Sequence, residues 1–142
     1  HRVHEYEHDS CSASYGLEAA NKMGVSEQQV FKTLVIQLDN QQLAVGVLPV
    51  GEKLSMKLMA KVCGAKKAVM ADIADVERST GYVLGGVSPL GQKKRLKTVV
   101  NSSAEEYATI YVSAGQRGLE IELAPKDLIL MTNGRFANIC QY

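Results

Sequence analysis

Val30-Phe31-Lys32-Thr33-Leu34-Val35-Ile36-Gln37-Leu38 reads as a β-strand, and its alternation decides where the fold must place a charge. Side chains alternate across a strand, so Val30, Lys32, Leu34, Ile36 and Leu38 share one face while Phe31, Thr33, Val35 and Gln37 share the other. Lys32 therefore stands on the greasier face. Burying an ammonium is costly unless it is paired or used, and desolvation lowers a lysine's pKa and can make it reactive. A lysine at a strand's mouth can instead snorkel its charge to water. The strand by itself leaves both readings open.

Working outward, Asp39-Asn40 supplies turn chemistry before a second strand, Leu43–Pro49, which closes a hairpin. Ala44 and Gly46 are small and leave space beside the first strand, as a pocket needs and as a weak strand would also show. Upstream, residues 14–23 read as a helix with Leu17, Ala20 and Met23 on one face and Gly24 as its stop. Downstream, helices are expected over 54–63 and 73–80, the second capped by Asp72 and closed by Gly81, with a brief strand over 67–70 between them. Strands over 98–101 and 109–113 flank a Ser102-x-x-Glu105 capping box. Leu119–Leu123 alternates strictly, so it reads as a half-exposed strand with Glu120 on the solvent side, and Pro125 opens a last helix through Met131. Strands and helices joined by hairpins and short connections predict an α+β fold: a single domain with one mixed, curved β-sheet and flanking short helices.

A chain of 142 residues fits one domain with a proper core. It holds no apolar run of membrane-spanning length and no signal-peptide pattern at its start, so it reads as soluble and cytoplasmic. Cys11, Cys63 and Cys140 form no C-x-x-C pair and no disulfide framework, and read as reduced thiols. His1, His4 and His8 lie in an extended pattern that does not supply the three or four converging ligands of a zinc site, so neither a metal nor a cofactor is expected. With a net charge of +1 no global field draws the chain to nucleic acid, and any RNA contact must come from a local patch.

Such a patch follows the densest punctuation in the chain, Gly85-Gly86-Val87-Ser88-Pro89-Leu90-Gly91. Adjacent glycines let backbone amides converge on an oxyanion or phosphate, although neither a P-loop nor a dinucleotide fingerprint is present. Lys93, Lys94, Arg95 and Lys97 come next, either a solvated charge run or a local grip on phosphates. Ser113-Ala114-Gly115-Gln116-Arg117-Gly118 offers a hydroxyl, a pliable backbone and a guanidinium. No nucleophilic triad can be assembled, because every histidine lies in the first eight residues and no Ser or Cys has an activating context. An enzyme with this sequence works by positioning and electrostatics, with Lys32 a candidate. A Schiff base at Lys32 with a small carbonyl compound is a rival of another class.

Taken together, Phe31-Lys32-Thr33-Leu34, the Gly85 to Gly91 loop and the block from Val112 to Leu123 resemble the YbaK/EbsC family of free-standing aminoacyl-tRNA deacylases, which are related to the editing domain of prolyl-tRNA synthetases. His4-Glu5-Tyr6 and the block from Tyr15 to Ala20 agree with it too. The resemblance spans nearly the whole chain, and family members usually carry a further short helical segment before the position of His1. It is strongest toward the branch that hydrolyses Cys-tRNA(Pro). It implies a pocket for the aminoacylated terminal adenosine, no metal, and attack on the ester carbonyl by the substrate's own thiol. By the same resemblance, Lys32 matches an essential lysine that anchors the terminal nucleotide or polarises the ester, and Gly85 and Pro89 match a G-x-x-x-P loop whose amides orient the carbonyl. Tyr6, Phe31, Thr33, Ser113, Gly115 and Glu120 match pocket positions, and Gly86 is read as substrate-binding beside them. Glu120 stands where some members have aspartate. Aminoacylated tRNA(Pro) is the implied partner, with prolyl-tRNA synthetase as a second one, and Lys93, Lys94, Arg95 and Lys97 are expected to contact the tRNA acceptor stem. Deacylation of another mischarged tRNA such as Ala-tRNA(Pro), and a catalytically silent tRNA-binding module, are the alternatives.

Overall fold

The computed structural model describes residues 1–6, 15–82, 87–92, 96–116 and 118–141. Along these the chain forms β1 (Arg2–Glu5), α1 (Tyr15–Met23), β2 (Phe31–Leu38), β3 (Leu43–Pro49), β4 (Lys53–Leu54), α2 (Met56–Val62), β5 (Ala68–Met70) and α3 (Ile73–Thr80). There follow β6 (Lys97–Asn101), a 3-10 turn over Ser102–Glu106, β7 (Ile110–Ser113), β8 (Leu119–Leu123), α4 (Pro125–Thr132), β9 (Arg135–Ala137) and β10 (Cys140–Gln141).

The β2–β3 hairpin is the centre of a five-stranded mixed sheet in the order β5-β2-β3-β6-β9, antiparallel from β5 to β3 and parallel from β3 to β9. A three-stranded antiparallel sheet, β1-β8-β7, stands beside it, and β4 pairs with β10. A single parallel bridge from Val30 to Tyr111 joins the two larger sheets, with the Tyr111 amide donating to the Gln29 carbonyl at 3.0 Å. The α+β class is as expected, and the β structure is divided into three hydrogen-bonded sets in place of one continuous sheet.

Alternation along β2 feeds two cores. Ile36 and Leu38 pack with Leu48, Leu54, Met59 and Ile139 beneath α2. Phe31 and Val35 pack on the other side with Val47, Val100, Ile110, Val112 and Leu128, under the outer sheet and α4. A third cluster seats α1, through Ala19 and Ala20, on Val30, Val50 and Tyr111. At roughly 1.5–3 kcal/mol per fully buried aliphatic side chain, these interdigitated layers fix the strand register that the site inherits.

Several local expectations change. The space beside Ala44 and Gly46 is filled: a Cβ on Gly46 would lie 3.3 Å from Leu54 and 3.5 Å from Ile139, so the small residues admit β4 and β10 instead of leaving a pocket. In α1 the buried residues are Glu18, Ala19 and Ala20, while Leu17 stays exposed. Helix α2 starts at Met56 because Ser55 caps it, its Oγ accepting from the Leu58 amide at 3.1 Å. Asp72 occupies the cap position of α3 without a side-chain cap bond. The Ser102/Glu105 capping box does not form; a 3-10 turn replaces it, and the Asn101 carboxamide is used elsewhere, accepting from the Ile139 amide at 3.0 Å and donating to Ser103 Oγ.

Candidate active site

Lys32 lies opposite Leu48 near the end of the hairpin, half-buried, with its Nζ 3.4 Å from the Val50 carbonyl. Burial pulls its pKa below the ordinary lysine value, opposed by the charges of Cys140 and Glu52. This is neither a fully sealed ammonium nor a freely snorkelling one. Val50, its hydrogen-bond acceptor, packs in the cluster of Ala19, Ala20 and Tyr111 against which Tyr6 also leans. Lys32 thus sits at the seam between the central sheet and the polar face of β1-β8-β7.

That polar face is a finding that alternation alone did not give. Glu120, expected toward solvent, is 6% exposed. It is on the middle strand, paired with His4 of β1 and Ser113 of β7, and α1 roofs the cluster formed on this side. Burial pushes its carboxyl up to about 8, so at neutral pH it is a carboxylic acid. Tyr6 is held by its amide donating to the Gly118 carbonyl at 2.9 Å. Its phenol is raised by burial and, to a smaller extent, by Glu120 and Glu18, against a backbone hydrogen bond from Gly118. Glu18, from α1, is itself 8% exposed and was not singled out in the sequence. Two places along β8, Glu122 is satisfied by His4 at 2.9 Å and Thr109 at 2.6 Å, which hold its carboxyl below the usual range.

The glycine loop reaches this face through Tyr82, a residue the sequence gave no reason to select. Its hydroxyl donates to the Leu90 carbonyl at 2.5 Å, and its ring lies where Gly115 has no side chain: a Cβ there would fall 2.7 Å from the ring. Gly115 also has φ +106°, a conformation other residues adopt only with strain. Pro89 and Ser88 are buried, and the Ser88 hydroxyl accepts from the Leu90 amide at 3.2 Å. Pro89 also borders a cavity of ≈ 190 Å³ shared with Leu96 and with Met131 and Thr132 of α4. Gly85 and Gly86 lie outside the described residues, as do Lys93, Lys94, Arg95 and Arg117.

Phe31 is fully buried in the core under the outer sheet and shapes the site from behind. Thr33 points to that same side of β2; its Oγ1 is buried with no hydrogen-bond partner among the described residues and borders a ≈ 90 Å³ cavity with Val35, Met70 and Val87. Lys32 and Thr33 are therefore neighbours in sequence on opposite faces of the strand. Lys97 lies elsewhere: it pairs with Ala44, four residues along β3 from the partner of Lys32, about 13 Å away by strand rise. Its Nζ is 3.4 Å from the Cys63 carbonyl, where Arg135 joins it on the Val62 carbonyl at the C-terminus of α2.

Chemically, the polar face of β1-β8-β7 carries a neutral carboxylic acid, a phenol and the Ser113 hydroxyl, and β2 carries a half-desolvated cation. Among the described residues no group of three His, Cys, Asp or Glu side chains is arranged to hold a metal. Cys63 is raised by burial, against Lys97 and Arg135, which disfavours its thiolate. Such a site can orient and polarise a substrate. No helix among the described residues is long and apolar enough to cross a membrane.

The chain is similar to known proteins in sequence and in fold. The chain is 42% identical over 120 residues to EbsC of Enterococcus faecalis, named as a candidate Cys-tRNA(Pro)/Cys-tRNA(Cys) deacylase; the match covers 84% of this chain and 73% of that protein. It is 29% identical over 126 residues to YwhH of Bacillus subtilis, an uncharacterized protein, covering 89% and 78%. A crystal structure described as a candidate trans-editing enzyme for prolyl tRNA synthetase superposes with a TM-score of 0.87 at 21% identity, covering 99% of this chain and 87% of the other, and so supports the fold. The structure of hypothetical protein APE2540 gives the same TM-score at 25% identity, covering 99% and 91%. Residues 13–130 match the aminoacyl-tRNA editing domain, and the chain belongs to that family.

Proposed function

We propose that this editing domain is a deacylase that hydrolyses cysteine wrongly attached to tRNA(Pro). The observation that carries this reading is the 42% identity to a protein named for that activity, over 84% of the chain. The chemistry of the seam supports it. In this reading the attacking group is supplied by the substrate: its thiol adds to the ester carbonyl, the terminal ribose hydroxyl leaves with the proton, and water opens the resulting thiolactone to free cysteine. Lys32 anchors the terminal nucleotide or stabilises charge on the ester oxygen. Pro89 and the glycines before it orient the carbonyl, with Tyr6, Phe31, Thr33, Ser113, Gly115 and Glu120 shaping the pocket. Prolyl-tRNA synthetase is the partner that would deliver this tRNA.

The test is a deacylation panel of tRNA(Pro) charged with cysteine, alanine or proline. Release of cysteine with proline spared is expected. Faster release of alanine would move the activity to Ala-tRNA(Pro), and salt-sensitive tRNA binding without turnover of any substrate would make the protein a silent binding module.

A further inference from the structure

The least explained group in the molecule is the carboxyl of Glu120. It is 94% removed from solvent, on the central strand of the outer sheet, and receives no hydrogen bond among the described residues. A buried polar group without a partner is costly and calls for a reason. Its twin on the same strand face, Glu122, has two partners that hold its carboxyl below the usual range, so the location does not force the deprivation. Around Glu120 the elements present a second carboxyl, Glu18 from α1, and two neutral hydroxyls, the Tyr6 phenol after β1 and Ser113 of β7, with no cationic side chain among these neighbours. His4, the remaining neighbour in register, spends its imidazole on Glu122. The environment is complementary to a compact cation, and none of the described residues donates one to it.

We infer that Glu120 is the specificity-determining residue that recognises the free α-ammonium of the aminoacyl group, so that this domain acts on unblocked aminoacyl esters and rejects N-acylated ones. The inference rests on the editing reading above, whose substrate class carries one such ammonium next to the scissile ester. Pairing the ammonium with Glu120 pins the α-carbon, which leaves the carbonyl and side chain to be presented to the rest of the seam. Before an ammonium is engaged Glu120 is an acid, which spares a lone buried charge; engagement of the ammonium converts it to a carboxylate and expels its proton.

The test uses the full chain and two non-hydrolysable probes, 3′-cysteinylamido-adenosine and its N-acetyl derivative, with binding followed by calorimetry. The wild type should prefer the free amine by about 10- to 100-fold, as expected for a charge-assisted hydrogen bond. At pH 7 its binding should release a proton, read from the dependence of heat on buffer. Glu120→Gln should bind both probes alike without that release, and Glu120→Asp should restore the preference. Equal binding of both probes by the wild type, or an undiminished preference in Glu120→Gln, would overturn the inference whatever the hydrolytic activity. A wild type that keeps the preference but fails to hydrolyse Cys-tRNA(Pro) would uphold amine recognition and sink the deacylase reading instead.

Discussion

Lys32 in β2 and Lys97 in β6 belong to one five-stranded sheet, and each reaches a backbone carbonyl at 3.4 Å. Their surroundings separate them. Lys97 is exposed and, with Arg135, meets the last carbonyls of α2, where a cation complements the negative end of a helix. Lys32 is half-buried at the opposite end of β3, beside the polar seam, and burial weakens its hold on its proton. The lesson is that a lysine's use is set by what surrounds the end of its strand. A bond to a carbonyl is common to a structural cation and to one placed for a substrate.

The largest expected effect comes from breaking this contrast directly. Lys32→Ala should lower kcat/KM for Cys-tRNA(Pro) by about 10²–10³-fold, the usual cost of losing one electrostatic stabiliser, with an unchanged thermal midpoint. Full activity in that variant would remove Lys32 from the site. The next effect is on stability and sharpens the contrast by adding a buried acid. Glu120 is raised from 4.5 to about 8, so between these values the folded state holds a proton that the unfolded state has lost; stability is unaffected below pH 4.5, falls as pH rises from there, and levels off once pH passes 8. Denaturant titrations of Glu120→Gln and wild type should coincide near pH 4 and diverge in favour of Gln by pH 9, by on the order of 3 kcal/mol.

Gly115→Ala tests the link between seam and loop. Strain at φ +106° and the encroachment on Tyr82 should cost about 1–3 kcal/mol in chemical denaturation and depress deacylation with it. The smallest effect belongs to Lys97→Ala: a loss of about 0.3–1 kcal/mol in stability from the end of α2, with kcat/KM within about threefold of wild type. A loss of tRNA affinity in Lys97→Ala as deep as that in Lys32→Ala would erase the distinction and return Lys97 to the acceptor-stem grip.

Much of the fold was legible because local rules are strong where periodicity is clean. Leu43–Pro49, expected from the turn before it, and Leu119–Leu123, expected from alternation, have the anticipated bounds, and α3 ends at Gly81 in the left-handed conformation. The short strands β4, β9 and β10 carry no period of their own; they are strands because Leu54, Arg135 and Cys140 find partners far along the chain. Asn101 shows the same limit: its side chain serves the Ile139 amide 38 residues away, so the capping pattern after it goes unused.

The site divides along the same line. Sequence by itself determined that Lys32 shares a face with Leu34 and Ile36, that no catalytic triad can be assembled, and that the three blocks resemble an editing family, since each depends on neighbours in the chain or on motif order. Only tertiary structure decided that Glu120 is buried, that Tyr82 ties Leu90 to Gly115 and that Lys97 ends α2. Alternation assigns a residue to a face of its strand, but desolvation is imposed by whatever covers that face, and here the cover is a helix one hundred residues away in sequence.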